Sequence, residues 1–111
     1  AESITVSNLK KLYLTFEGQM RGLGMQEQGL GFSSEQLREF FRAKGIFPRL
    51  HHNEYFSTEL PSVVLTYMWL GDSLNEVINV LSNNFRPDDM VWIDIVFNDQ
   101  RTDQEAMNAV R

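Results

Sequence analysis

The sequence predicts an α/β domain in which helices pack on both faces of a small parallel sheet. Two apolar segments, 63–69 and 90–97, are rich in β-branched and aromatic residues and have the length of strands that are buried on both faces. The segment between them has the apolar spacing of an amphipathic helix. A strand, a crossover helix and a second strand form a βαβ unit, so we expect the two strands to be parallel neighbours.

The helix of this βαβ unit has well-marked ends. Ser73 and Glu76 have the spacing of a capping box, in which the serine oxygen accepts a first-turn amide and the glutamate reaches back. Pro87 prevents the helix from continuing. One face of the helix collects the apolar residues Leu74, Val77, Ile78, Leu81 and Phe85.

Residues 1–61 are expected to form a cap of helices and loops on a βαβ core made by residues 62–111, within a single domain. Segment 4–20 has apolar residues at helical spacing, although Leu12, Leu14 and Phe16 also alternate as in a strand. We favour a helix with Ser7 as its N-cap. Segment 18–31 contains five glycines and is predicted to be a surface loop. It lacks the third glycine of a dinucleotide-binding loop and the carboxylates of a calcium loop.

The strongest local helix pattern lies at 33–44. Ser33 and Gln36 have capping-box spacing, Phe32 and Leu37 have the spacing of a hydrophobic staple, and Gly45 is a typical helix stop. Segment 48–61 is predicted to be a connector whose adjacent histidines, His51 and His52, form a solvated pair and not a metal site, because neighbouring side chains point in different directions. Segment 102–110 is predicted to be a short helix capped by Thr102.

Composition excludes several classes of function. The net charge of −5, with no stripe of Lys and Arg, argues against nucleic-acid binding. The absence of cysteine excludes disulfides, thiol catalysis and cysteine-ligated zinc. No segment has the length and apolarity of a membrane span, and the first residues lack the apolar core of a signal peptide. We therefore expect no membrane insertion and a cytoplasmic or other intracellular location. The first residue is Ala, which is consistent with a processed product or an excised fragment.

Two strands are too few for a stable sheet, because independent sheets need three or more. A third strand must come from residues 1–16, from another copy of the chain, or from a continuation of the chain. An unpaired edge or an uncovered apolar face is most simply covered by a partner.

Polar and aromatic side chains follow both predicted strands. Because the carboxyl ends of parallel strands meet at one edge of a sheet, where ligands of open α/β sheets bind, we expect these side chains to lie close together. They suit a partner loop or a small nucleotide, although Asp72 also suits helix capping and Asn98-Asp99 suits an ordinary turn. The candidate ligand- or partner-binding set is Tyr67, Trp69, Asp72, Asn98, Asp99 and Gln100.

Asp94 lies between two isoleucines in a predicted buried strand. Burying a carboxylate is costly unless it is hydrogen-bonded, so we expect Asp94 to have a partner, with Thr66 or Tyr67 of the adjacent strand or a helix N-terminus as candidates. Asp94 and Thr66 are therefore predicted to be buried polar residues with a structural role. An alternative is a Mg²⁺ site formed by Asp94, Asp99 and Asp103. We favour the structural role and predict no metal, no cofactor and no catalytic residue.

The two strand motifs resemble the Toll-interleukin receptor (TIR) superfamily, and most closely its heterokaryon-incompatibility branch. That branch typically has a strand ending Ser-Tyr-x-Trp-Gly and a later strand Trp-Ile-Asp-x-x-Cys-Ile-Asp/Asn-Gln. In LTYMWLGDS, Tyr67 and Trp69 match, Thr66 stands at the serine, and Leu70 is an extra residue before Gly71. In VWIDIVFNDQ the matching residues are Trp92, Ile93, Asp94, Asp99 and Gln100, whereas Phe97 replaces the cysteine and Asn98 the isoleucine.

The resemblance covers residues 62–111 only. It implies a flavodoxin-like α/β fold and a role in signalling or self-association. Some members of the superfamily hydrolyse NAD⁺ with a glutamate on a later helix, and this chain ends before the region where that glutamate would lie. We therefore predict a noncatalytic protein-interaction module, working as a signalling adaptor or as a subunit of a larger assembly, with a protein partner or a second copy of the chain. The alternative is a TIR-like enzyme that binds or hydrolyses NAD⁺.

Overall fold

The structure, a computed structural model, describes residues 2–27, 31–66 and 73–101. These residues form a small sheet with helices packed on it, which confirms the predicted α/β class. In chain order the elements are β1 (Ser3–Thr5), α1 (Val6–Gly22), α2 (Ser34–Lys44), α3 (Pro48–His51), a 3-10 helix (Asn53–Tyr55), β2 (Phe56–Ser57), β3 (Val63–Leu65), α4 (Leu74–Asn84), β4 (Met90–Ile93) and α5 (Asp94–Phe97).

The sheet is mixed and not wholly parallel. Its strand order is β2-β1-β4-β3. The predicted parallel pairing of β3 with β4 is confirmed, with Val63 opposite Val91 and Leu65 opposite Ile93. β1 lies antiparallel to both β4 and β2. The first residues of the chain therefore supply the third strand, which was one of the three sources that we expected.

The second predicted strand, 90–97, is only half correct. β4 ends at Ile93, and Asp94–Phe97 is a short helix in which the Asn98 amide donates to the Asp94 carbonyl at 2.8 Å. A short apolar run does not distinguish a buried strand from a buried helical turn, and all four residues of α5 are buried. The expectation that both strands are buried on both faces is also wrong for β3, because Val64 is 61% exposed.

Helix α1 is longer than the sequence suggested. It begins at Val6, with Thr5 as the N-cap in place of Ser7, and the Thr5 hydroxyl accepts from the Asn8 amide at 3.0 Å. It also extends to Gly22, so the predicted glycine-rich loop begins about a turn later than expected. Packing explains the difference, because a continuous buried face outweighs the low helix propensity of two glycines. That face comprises Leu9, Leu12, Tyr13, Phe16 and Met20.

The other two long helices begin at the predicted residues, but the predicted capping box forms only in α2, and the structure shows no bond from the Glu76 side chain back to the Ser73 amide in α4. Ser33 and Gln36 form a reciprocal capping box, with 3.1 Å from the Gln36 amide to the Ser33 hydroxyl and 3.0 Å from the Ser33 amide to the Gln36 Oε1. Gly45 ends α2 in the left-handed conformation, with φ of 65°. Ser73 caps α4 by accepting from the Asn75 amide at 3.1 Å.

The N-termini of α2 and α4 meet against α1. Ser33 and Ser73 form an antiparallel β-bridge, and the Tyr13 hydroxyl accepts from the Phe32 amide at 3.1 Å. Burial raises the pKa of Tyr13 to about 12, so its hydroxyl is neutral at ordinary pH. The junction has no spare room, because a Cβ at Gly31 would lie 2.5 Å from the Tyr13 hydroxyl.

The connector at 48–61 contains α3, the 3-10 helix and β2, so it is more ordered than predicted. His51 is exposed on α3, whereas the half-buried ring of His52 packs edge-on against Phe16 at 5.1 Å between ring centroids. The prediction of a solvated pair is therefore wrong for His52. Within the described residues, no three His, Cys, Asp or Glu side chains cluster as metal ligands.

The two buried serines at the start of α2 give a paired test of the capping box. We expect Ser33→Ala to lower the free energy of unfolding by about 1 kcal/mol, because it removes the cap of the Gln36 amide. The hydroxyl of Ser34 is buried and has no hydrogen-bond partner in the part of the chain that the structure describes. Ser34→Ala should therefore be neutral or stabilising. Urea unfolding of both variants measures the difference, and equal destabilisation by the two changes would contradict this account.

Candidate interaction surface

The predicted edge set is only partly described. Tyr67, Trp69 and Asp72 lie outside the described residues. Asn98, Asp99 and Gln100 do not directly follow a strand, because α5 intervenes between the end of β4 and these residues. The prediction that 90–97 is one strand ending at this edge is wrong, because α5 begins at Asp94.

Asp99 is held by a bidentate ion pair. The Arg101 guanidinium donates from Nε to the Asp99 Oδ1 at 2.9 Å and from Nη2 to the Asp99 Oδ2 at 2.8 Å. Both side chains are largely buried. The same guanidinium lies over the Phe47 ring, 5.5 Å from its centroid. These hydrogen bonds from Arg101 hold the pKa of Asp99 below its usual value. Asp99 is therefore ionised and engaged in a contact within the chain.

Asp94 and Thr66 do not share an environment. Asp94 is 6% exposed and is the first residue of α5, so it is buried at the start of a helical turn and not in the middle of a strand. Thr66 follows β3 and is exposed, whereas we expected it to be buried. Asp103, the third member of the alternative Mg²⁺ set, lies outside the described residues.

Strand β3 forms one edge of the sheet. Among the described strands its only neighbour is β4. Just before β3, the Ser62 amide donates to the Met90 carbonyl at 2.8 Å. The Asp89 carbonyl accepts from the Val6 amide on the β1 side, and backbone groups alternate in direction along a strand, so Met90 and Trp92 direct theirs toward β3. In the register that sets Val64 opposite Trp92, Val63 and Leu65 therefore direct their amides and carbonyls toward β4, and Val64 directs its own toward the open edge.

The open edge carries no charge. The sequence from Ser62 to Thr66 is SVVLT, and natural edge strands usually carry charged side chains that discourage pairing with another chain. Val64 is 61% exposed and Leu60, just before the strand, is 79% exposed. We call residues 62–66 the β3 edge. The lack of charge is visible in the sequence, but a valine in an apolar run predicts a core position, so the exposure of Val64 does not follow from the sequence.

The exposed face of β3 continues onto β4. Val64 is directly opposite Trp92, so the two side chains lie on the same face of the sheet. Trp92 is half-buried and stacks on Phe97, with 5.6 Å between ring centroids and 20° between ring planes. The opposite face holds Val91 and Ile93, which are fully buried. Next to its open edge, the sheet therefore presents an apolar strip that consists of Val64 and Trp92.

Two open grooves in the described part of the chain lack the side chains of an active site. One, of about 290 Å³, is lined by Val6, Ser7, Lys10, Ser82, Phe85 and Pro87. The other, of about 310 Å³, is lined by Gln19, Gly22, Leu23, Phe40, Lys44 and Ile46. Neither lining includes a carboxylate or a histidine, the usual acids and bases of catalysis.

Comparison of the chain with models of known protein families, with curated proteins and with solved structures finds no significant match. Within the described residues, no helix is long and apolar enough to span a membrane.

The Asp99–Arg101 pair predicts a specific acid dependence of stability. We expect the wild type to be more stable than Asp99→Asn by about 1.5 to 3 kcal/mol at pH 7, the usual range for hydrogen bonds to charged groups. Because the folded pKa is lowered, this stabilisation is complete above the unfolded value of about 3.9 and is lost as the pH falls through the folded value.

Urea unfolding of the two proteins from pH 7 down to pH values below about 3 measures this difference, which should shrink on the acid side. Asp88→Asn, at an exposed position, is the control and should leave the pH dependence unchanged. The same acid-dependent loss in the wild type and in Asp99→Asn would contradict the role given to the pair.

Proposed function

We propose that the protein is a noncatalytic interaction module, a signalling adaptor or a subunit of a larger assembly, that binds a protein partner through the β3 edge. The observation that carries this proposal is the uncharged β3 edge, with which no strand other than β4 pairs among the described residues, and the exposed Val64 on it. An extended segment of a partner that pairs with a sheet edge gains main-chain hydrogen bonds, and side-chain pockets give specificity. The resemblance of residues 62–111 to TIR domains, which act in signalling and self-association, supports the same function.

The enzyme alternative receives less support from the described residues. Cleavage of the bond between ribose and nicotinamide needs a carboxylate that is free to stabilise an oxocarbenium-like centre. Asp99 is already paired with Arg101, and Asp94 is buried at the start of α5. Asp72 lies outside the described residues.

Two valines of equal exposure allow a matched test of the interaction module. Val64 is 61% exposed on β3, and Val80 is 60% exposed on α4. We expect Val64→Lys to abolish binding of protein partners, because a charge on the edge must be desolvated on pairing, while Val80→Lys binds as the wild type does. The measurements are light scattering at several concentrations and affinity recovery of partners from the native source.

At protein concentrations too low for association, both lysine variants should keep the wild-type thermal midpoint, since neither valine is buried within one chain. The proposed function would be refuted if the wild type stays monomeric and recovers no protein that Val64→Lys fails to recover.

A second prediction concerns catalysis. We expect the isolated chain to release no nicotinamide from NAD⁺ above a no-protein control, followed by chromatography over hours at high protein concentration. The reason is that the described carboxylates near the end of β4 are paired or buried. Release that is abolished by Asp72→Ala or Asp99→Ala, but retained in the surface control Glu27→Ala, would favour the enzyme alternative.

A further inference from the structure

We infer that His51 is a pH-sensitive cap of helix α3, which holds the start of α3 when the imidazole is neutral and releases it when the imidazole is protonated. This inference goes beyond the proposed function and does not depend on the β3 edge. It rests on a hydrogen bond that only the neutral ring can accept, and on a carboxylate that attracts the protonated ring.

Phe47 and His51 close the single turn of α3 with two hydrogen bonds. The His51 amide donates to the Phe47 carbonyl at 2.9 Å, and the Phe47 amide donates to Nδ1 of the His51 ring at 2.9 Å. Phe47 is the N-cap residue, but its side chain has no oxygen that could cap the turn. The His51 ring therefore satisfies the amide at the start of α3.

The bond from Phe47 to His51 requires a neutral ring. One nitrogen of a neutral imidazole accepts a hydrogen bond while the other carries the proton, and both nitrogens are donors once the ring is protonated. The neutral His51 therefore carries its proton on Nε2. Histidine ordinarily changes charge between about pH 5 and 8, and His51 is exposed to the solvent that supplies the proton. Acid therefore removes the acceptor of the Phe47 amide.

The groups around His51 attract the protonated ring. Helix α3 packs against α5 and the 3-10 helix. The Arg101 hydrogen bonds are the largest cause of the lowered pKa of Asp99, and the positive charge of His51 lowers it further. Asp99 is therefore close enough to attract the imidazolium. The charged and titratable groups on α3, on its neighbours and on the segment after α5 are Arg49, His52, Glu54, Asp94, Asp99 and Arg101.

The cap and the Asp99–Arg101 ion pair meet at Phe47. The Phe47 amide binds His51, and the Phe47 ring lies under the Arg101 guanidinium, 5.5 Å from the ring centroid. Protonation of His51 thus exchanges a hydrogen bond at the start of α3 for an attraction toward Asp99, the partner of Arg101.

Amide hydrogen exchange, followed by NMR at about pH 8 and about pH 5, tests the cap. The measured quantity is the protection factor of the Phe47 amide, which corrects for the intrinsic pH dependence of exchange. We expect the wild-type protection factor to be roughly fivefold higher at the upper pH, the ratio that corresponds to one ordinary hydrogen bond.

Two histidine variants are the controls. His51→Ala removes the acceptor, so its Phe47 protection should be low at both pH values. His52→Phe removes the neighbouring titratable ring but keeps an aromatic ring against Phe16, and it should behave as the wild type does. Wild-type protection that is the same at both pH values, or that falls equally in His51→Ala, would overturn the cap.

Asp99→Asn tests the role of the carboxylate. Its removal takes away an attraction that favours the imidazolium, so the pH at which the Phe47 protection factor falls should shift downward relative to the wild type. A midpoint that is unchanged or higher in Asp99→Asn would overturn the role given to Asp99.

Discussion

The pairing of β1 with β4 is the constraint on which the rest of the structure depends. β1 comes from the beginning of the chain and lies between β2 and β4, with Ile4 opposite both Phe56 and Val91 and completely buried. Two further bonds continue this contact into α1, from the Val6 amide to the Asp89 carbonyl at 3.1 Å and from the Ser7 amide to the Pro87 carbonyl at 3.0 Å. They fix the first turn of α1, so its apolar face is directed onto the core and against α4.

Placing β1 on one side of β4 leaves β3 on the other side with a single neighbour. β4 becomes an inner strand beside β1, and among the described strands β3 becomes an edge strand although the βαβ unit alone suggested a buried one. The exposure of β3 is thus a consequence of the long-range pairing of β1 with β4, and not of the local sequence of β3. The same arrangement lets Phe97, at the end of α5, stack on Trp92 while leaving Val64 open to solvent.

This division between local and long-range effects explains what the sequence predicted. Helices α2 and α4 were found because their caps and apolar faces lie within one segment, as Ser33 with Gln36 and Leu74 with Ile78 illustrate. β1 and β2 are only three and two residues long, and they become strands through pairing between distant parts of the chain, which carries no local periodicity. The position of Val64 was missed for the same reason: whether a valine in a strand is buried depends on which elements cover that face.

The two edges of the described sheet differ in how they are protected against pairing with another chain. The β3 edge carries no charged side chain, whereas natural edge strands usually carry one. β2 has two residues, a very short edge of the kind that natural sheets tolerate. The Arg49 guanidinium covers the Phe56 ring at 5.7 Å from its centroid, and Arg49 is itself paired with Glu2 at 3.1 Å. Just beyond β2, the Ser57 hydroxyl accepts from the Glu59 amide at 3.1 Å, which turns the chain away. Among the described strands, one edge of the sheet is therefore uncharged, while the other is short and lies beside the Arg49–Glu2 pair, so a partner strand is expected at β3 and not at β2.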